Sequence, residues 1–362
     1  MILNGIMGKN YVPMLKINGG GEGDIYLLQE NQNYVAKIFK PECRNAAREE
    51  KLRQMVRVRF TEEQLKQIIW PLDVLYEKNQ FVGFVMPKLS DVHTLTALYA
   101  DGDYDYRFRV LAALNLCIAM KTVHDAGQIC GDMNPQNICI NLNSEDKANG
   151  FQVSLVDADS YHFVAEDKIY RCEVGVAEFL SPELIKKLAS SDENLKNIAL
   201  PTFTIESDRF ALAIHIFVLL MNGCHPFACA KGGTVSRIEI RRGKVRKYPI
   251  EAPQPVDNMK DGFFPFVQHR PGIIHPLYAP DFESLSEELQ RLFIRAFVDG
   301  YTDPGKRPTE AEWIEALKYS EMTNRNCQEK DLSKRHYYFS NNTECPMCTV
   351  KRRISDQMKR RI

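Results

Sequence analysis

The chain has 362 residues, enough for two domains or one large two-lobed domain with an appendage. Lys+Arg and Asp+Glu balance at 47 each and 44% of residues are apolar, so no global field argues for nucleic acid or a membrane surface. The longest apolar run, "FALAIHIFVLLM" (210–221), is too short for a bilayer span. The N-terminus "MILNGIMGKNYVP" lacks a charged segment followed by an apolar one, so no signal peptide is expected.

In chain order, residues 11–39 alternate apolar runs with glycines. "YVPMLKI", "NGGGEG", "DIYLL" and "YVAKIF" predict strands joined by tight turns. Residues 44–57, "RNAAREEKLRQMVR", are rich in helix formers and predict a helix. Two more strand-like runs, "IIWPLDVLYE" and "FVGFVMPKL", make residues 1–88 a small sheet with one helix. Then the character turns helical. Val110, Leu111, Leu114, Ile118 and Val123 recur close to a helical period and predict a helix over 106–125. Residues 207–222 open on Ser207-Asp208, a good N-cap pair, and continue almost wholly apolar, which predicts a helix buried on all sides. Residues 284–299 and 309–318 predict amphipathic surface helices. Residues 231–280 read as irregular, with a basic cluster (Arg237, Arg241, Arg242, Lys244, Arg246, Lys247) best taken as a solvated loop face.

The glycines of "INGGGEGDIYLL" lie between two strands, where backbone amides can approach a phosphate with no Cβ in the way. Alone, the cluster also fits an ordinary turn. It is neither a P-loop nor a dinucleotide fingerprint, because no helix and no Gly-Lys-Ser/Thr follows. Lys37 is a charge inside the apolar run "YVAKIF", so it is either paired or points to water from an edge strand. Glu49 and Glu50 on the next helix are candidate partners. In "QICGDMNPQNICI" (128–140), Asp132 and Asn137 share a turn stiffened by Pro135. Asp157 ends the apolar run of "VSLVDADSY", where it can meet Asn137 across a hairpin-like connection. Asn137 and Asp157 supply hard oxygen ligands suited to Mg²⁺ or Mn²⁺ with a substrate's phosphates, and Asp132 is left to accept a proton.

In this order the set resembles the protein kinase family, which combines a Gly-rich loop, a strand Lys, a helix Glu, an H-R-D-x-x-x-x-N loop and D-F-G. "VHDAGQICGDMNPQNICI" is similar to the family's catalytic segment, with Asp132 and Asn137 in register, and "LVDAD" stands where D-F-G belongs. "GVAEFLSPEL" resembles the end of an activation segment, with Glu183 in the place of the A-P-E glutamate. "SDRFALAIHIFVLLMNGCHPF" resembles the buried helix that carries the family Asp, here Asp208, and "DPGKRPTEAEW" supplies Arg307, the usual partner of Glu183. The likeness runs from residue 11 to 318 and is nearest the atypical bacterial branch with "GDxNPxN" and "VDxDS" motifs.

That resemblance implies an α+β, bilobal kinase-like fold: a β-rich N-lobe over 1–88, a helical C-lobe over 89–320 and a metal-binding tail over 321–362. It implies that Gly20, Gly21 and Gly23 cover the phosphates of ATP. Lys37 holds the α/β-phosphates and is oriented by Glu50 or Glu49. Adenine sits against Phe84–Pro87, including Met86. Asn137 and Asp157 hold magnesium, and Asp132 accepts or orients a substrate hydroxyl. The chain departs from the family at several positions. Cys130 and Gly131 replace His-Arg, Asn134 replaces a phosphate-contacting Lys, and Asn18 replaces the first loop glycine. Asp159 replaces the D-F-G glycine, either to touch a second metal or to cap a turn. Because that Arg normally receives a phosphorylated activation loop, such phosphorylation is not expected to be the switch.

Seven of the ten cysteines are scattered, which points to a reducing compartment and hence the cytoplasm. The other three form, with one histidine, the spacing C-x₈-H-x₈-C-x₂-C: Cys327, His336, Cys345 and Cys348. Thiolates plus one imidazole complete a tetrahedron for structural Zn²⁺. The expected partners are ATP and a protein substrate, with no DNA and no membrane, and the tail is a candidate partner-binding element. The expected activity is γ-phosphate transfer to a Ser/Thr hydroxyl. A pseudokinase that binds ATP as a regulatory module, and transfer of AMP on the same fold, are the alternatives.

Overall fold

Seven strands at the N-terminus pair into one antiparallel sheet in the computed structural model, which describes residues 2–100, 105–143, 150–191, 194–232, 236–241, 244–249, 251–329 and 336–359. They are β1 (Leu3–Gly5), β2 (Asn10–Tyr11), β3 (Pro13–Gly19), β4 (Gly23–Leu28), β5 (Tyr34–Phe39), β6 (Asp73–Glu77) and β7 (Gln80–Pro87), in the order β2-β1-β6-β7-β5-β4-β3. Leu3, Leu28, Ala36, Leu75, Val82 and Val85 fill the core of this sheet. The predicted helix forms as α1 (Ala46–Met55), its start fixed by Asn45, whose side chain accepts from Arg48 N–H. A second helix, α2 (Glu62–Gln67), was not expected; a Thr61/Gln64 capping box sets it. The run "IIWPLDVLYE" becomes a strand only from Asp73. Ile68 makes an isolated parallel bridge with Leu155, and Trp70 anchors the segment by donating to Met55 O at 2.9 Å.

The chain divides into two compact units, Met1–Thr94 with Ala119–Val174 and Leu95–Ile118 with Gly175–Ile362. The first unit completes itself with two small sheets. One is formed by β8 (His93–Thr94), β10 (Ile138–Ile140) and β11 (Val153–Leu155); the other by β9 (Gln128–Ile129), β12 (His162–Ala165) and β13 (Lys168–Tyr170). The pairing of β10 with β11 sets Ile138 opposite Leu155, and Val156 N–H donates to Asn137 O at 2.9 Å. This is the hairpin connection expected between Asn137 and Asp157.

The second unit is mainly helical: α3 (Leu95–Ala100), α4 (Tyr106–Asp125, which runs on into the first unit), α5 (Pro182–Ala189), α6 (Ile205–Leu220), α7 (Pro255–Asp261), α8 (Glu287–Ile294), α9 (Gly300–Thr302), α10 (Glu310–Met322) and α11 (Pro346–Lys359). Helix α6 is buried nearly throughout, as its composition predicts, but begins before Ser207. Thr204 is the N-cap, in a capping box with Ser207, so Ser207-Asp208 form the first turn. Phe210, Phe217, Phe264, Phe293 and Phe297 pack edge and face around it. The segment read as irregular contains a hairpin, Ser236–Arg241 with Lys244–Pro249; of its basic cluster, Arg242 lies outside the described residues. Among the described residues no helix is long and apolar enough to cross a membrane.

Candidate functional site

The glycine cluster closes the β3–β4 hairpin, with Gly20 N–H donating to Gly23 O at 2.9 Å. A Cβ on Gly23 would lie 2.7 Å from Ile38 O, so this position needs glycine for the close approach of β5. Gly20 and Gly21 face open space. Glu22, between them and Gly23, pairs with Arg48 on α1 at 2.6 Å.

Lys37 stands mid-strand on β5, between β4 and β7, and opposite Phe84. Its ammonium lies over the Phe39 and Phe84 rings. A lysine there must be paired. It reaches Asp157 Oδ1 at 2.8 Å and both oxygens of Asp159 at 2.9 Å. Burial pulls its pKa down, but the charges of Asp159 and then Asp157 outweigh burial and hold it above the ordinary lysine value. The expected pairing with Glu49 or Glu50 is not formed, because both are engaged elsewhere. Glu49 binds Tyr76 at 2.6 Å and Arg53 at 3.1 Å. Glu50 binds Lys168 at 2.6 Å and Tyr170 at 2.9 Å on the β12–β13 hairpin. The buried face of α1 carries Lys51 instead, whose Nζ donates to Arg171 O at 3.0 Å and whose pKa burial pushes down to about 8.

Asp157 adopts φ +59°, a left-handed conformation uncommon for a residue with a side chain, and starts the short 3₁₀ turn Ala158–Ser160. Ser160 fastens that turn by donating from N and Oγ to Asp157 O at 3.0 and 2.8 Å. The turn brings the Asp159 carboxylate back to Lys37. The sequence offers Asp159 as a metal contact or a turn cap; in the structure it engages Lys37. The available signal was a second acid two residues after the strand-end Asp157.

The loop 130–137 organises Asp132. Its Oδ2 accepts from Asn134 Nδ2 at 2.8 Å and Asn137 Nδ2 at 3.1 Å. Because Asn137 donates from its amide nitrogen, its Oδ1 is left as a hard donor. Asp157 is the half-exposed acid at the end of the same hairpin, so Asn137 and Asp157 have the donor chemistry for magnesium. Met86 lies on β7, paired with Val35, and is part-buried.

In the second unit, Arg307 forks onto Glu183 at 2.8 and 2.7 Å, the pairing the resemblance implies. Burial raises the Glu183 pKa, but Arg307 outweighs it and the net shift is downward. The tail gathers Cys327, His336, Cys345 and Cys348 with their ligand atoms within 4.8 Å of one another. Each of the three sulfurs is 3.7 Å from His336 Nδ1. Tetrahedral zinc, with bonds of about 2.3 Å to sulfur and about 2.0 Å to nitrogen, would set sulfur and nitrogen roughly 3.5 Å apart, so the cluster fits that ion. Burial and the Lys351 ammonium keep the His336 pKa low, favouring the neutral, ligating imidazole. The tail is docked on the second unit: Tyr337 N–H donates to Asp105 at 3.3 Å, Asn342 to Ser284 O at 2.7 Å, and Arg353 to Asp281 at 2.7 Å. A cavity of about 160 Å³ beside it is lined by Tyr106, Arg109, His336, Tyr337, Met347 and Lys351 among others.

No family model matches the chain. It is 26% identical over 353 residues to Protein kinase YegI of Escherichia coli strain K12, covering 92% of this chain and 48% of that protein. It is 26% identical over 361 residues to Protein kinase YegI of Escherichia coli O157:H7, covering 95% and 49%. A stretch of 155 residues is 23% identical to Calcium-dependent protein kinase 21 of Arabidopsis thaliana, 42% of this chain and 25% of that one. The chain spans about half the length of the E. coli proteins it matches. These similarities support a protein kinase.

Proposed function

We propose that this chain is the kinase part of a protein kinase that transfers the γ-phosphate of ATP to a Ser/Thr hydroxyl of a protein substrate. One observation carries the reading: Lys37, Asp132, Asn137 and Asp157, from separate segments, lie in one compact unit with their polar atoms organised. Lys37 would meet the α/β-phosphates below the glycine turn. Asn134 and Asn137 fix the Asp132 carboxylate to accept or orient the attacking hydroxyl. Asn137 and Asp157 would hold magnesium, which neutralises charge on the transferred group when bound. Catalysis of this kind is mostly positioning and charge stabilisation. A structural zinc would close the tail through Cys327, His336, Cys345 and Cys348. We place the protein in the cytoplasm on its cysteine pattern, with none of the ten in a disulfide.

Activation without loop phosphorylation belongs to this reading. The β12–β13 hairpin already holds α1 through Lys168 and Tyr170 to Glu50 and through Glu166 to Gln54 and Arg57. Phosphatase-treated protein should keep its full rate, and a large loss would overturn this part.

Incubation with γ- and α-labelled ATP and a generic protein substrate tests the activity. Label from γ only, reduced about 10³-fold in Asp132→Asn, is expected. Binding of ATP without transfer would make the chain a regulatory ATP-binding module, and incorporation of α-label would make it an AMP transferase.

A further inference from the structure

We infer that Asp159 is a positioning residue for Lys37, doing from the turn after β11 what a helix glutamate does in the protein kinase family. The inference rests on Lys37 being a phosphate-binding residue, as proposed above. Four observations carry it. Asp159 meets the Lys37 ammonium with both oxygens at 2.9 Å, whereas Asp157 uses one. The Asp159 side chain is 6% exposed and the Asp157 side chain 40%. Of the two acids, Asp157 is therefore the one open to a metal and nucleotide, and Asp159 the one built into the protein. The glutamates of α1 are tied to Tyr76, Arg53, Lys168 and Tyr170, so that helix brings Lys37 no carboxylate. Finally, the α1 side chains beside Lys37 are cations: Arg48 and Lys51, one helical turn apart, pair with Glu22 and Arg171 O and help hold the Asp159 pKa down.

The polarity of the coupling is thereby reversed. The anion sits after β11 and bonds Lys37, while the cations sit on the helix, where Arg48 pairs with Glu22 and Lys51 donates to Arg171 O. Two carboxylates for one buried ammonium also give the site a reserve. With Asp157 engaged by a metal, Lys37 would still have a charged partner to hold it in place. The glycine found at this position in the family would remove that partner.

The test is a double-mutant cycle on ATP affinity, read by calorimetric titration with and without magnesium, together with kcat and KM. Asp159→Asn should raise the ATP dissociation constant about tenfold, and Asp159→Glu should recover part of the loss. In the Lys37→Met background, Asp159→Asn should change ATP affinity no further, because the effect runs through Lys37. Thermal unfolding identifies any variant that merely misfolds, and the isosteric Asp159→Asn and the charge-retaining Asp159→Glu cover each other. Asp159→Asn binding as tightly as wild type overturns the inference. So does a full effect persisting in Lys37→Met, and an effect seen only with magnesium would make Asp159 a metal ligand instead. Wild-type protein that binds no ATP takes down the proposed function and this inference with it. The other outcomes leave the function standing.

Discussion

The Lys37 cluster and the tail cluster are opposite solutions to gathering polar groups in a small space. Around Lys37, the chain brings together residues 120 and 122 positions apart in sequence, and the charges close on themselves. Asp159 sits in a buried place that alone would raise its pKa, yet Lys37, Lys51 and Arg48 outweigh burial and keep it ionised. The tail gathers three thiols and an imidazole held neutral, with no cation among the four side chains. There burial, then the neighbouring Cys345 and Cys327, push the Cys348 thiol up to about 12. The first arrangement carries its own counter-charges and stands without a ligand. The second has the donor set of a metal site, where a bound cation would let those sulfurs ionise together.

The largest expected effect breaks the second half of that comparison. Chelation, or Cys345→Ser with Cys348→Ser, should release one equivalent of zinc and unfold the tail, at a cost on the order of 10 kcal/mol for that segment. The apolar packing around the cluster is slight: Cys327, Tyr338 and Cys345 are its buried members. Metal analysis and limited proteolysis read the outcome. Purified protein with no zinc, or a tail equally protease-resistant after substitution, would show that its docking contacts suffice. A smaller effect tests the same closure of charge at another pair, in the second unit. Arg307 is wholly buried and forks onto Glu183. Arg307→Met leaves that carboxylate without its counter-charge and should cost roughly 3–5 kcal/mol in denaturant unfolding. A loss below about 1 kcal/mol would mean that surrounding packing, not charge closure, fixes the pair.

The two clusters also differ in how far the sequence reveals them. Metal-ligand spacing is nearly a geometric statement, so the tail's four residues are legible from their spacing alone. Lys37, Asp132, Asn137 and Asp157 stand out in the sequence only as an ordered set that resembles a known pattern. Their pairings are not legible there. Glu49 and Glu50 stand on the correct helix, but which face of α1 points inward depends on packing of Leu52 and Met55 against the sheet, and that packing turns Lys51 inward. Local grammar misleads twice more. Ser207-Asp208 is a good cap pair, yet Thr204 three residues earlier makes the reciprocal box. In the basic segment, Ile238 and Ile240 alternate with polar residues at a strand period that the surrounding charge obscures. The short helix α2 has too few residues for a helical period to show.

The smallest expected effect separates two buried lysines, one paired with carboxylates and one with a backbone carbonyl. Lys37 has Asp159 and Asp157, and its pKa is held above the ordinary value. Its stabilising charge therefore persists well into alkaline solution. Lys51 has the Arg171 carbonyl as its hydrogen-bond partner, and burial pushes its pKa down to about 8 from the ordinary value of 10.5. Below pH 8 both folded and unfolded chains carry the proton, and Lys51 adds no pH dependence. Between 8 and 10.5 the unfolded chain holds a proton that the folded chain has released, so the Lys51 contribution to stability rises with pH across that window. Lys51→Met should remove this rise. The difference in unfolding free energy between wild type and variant should therefore be flat from about pH 6 to 7.5 and grow in favour of wild type toward about pH 9.5. Taking the difference cancels the other alkaline groups, including Lys37. Parallel curves for the two proteins would mean that Lys51 keeps its charge as Lys37 does.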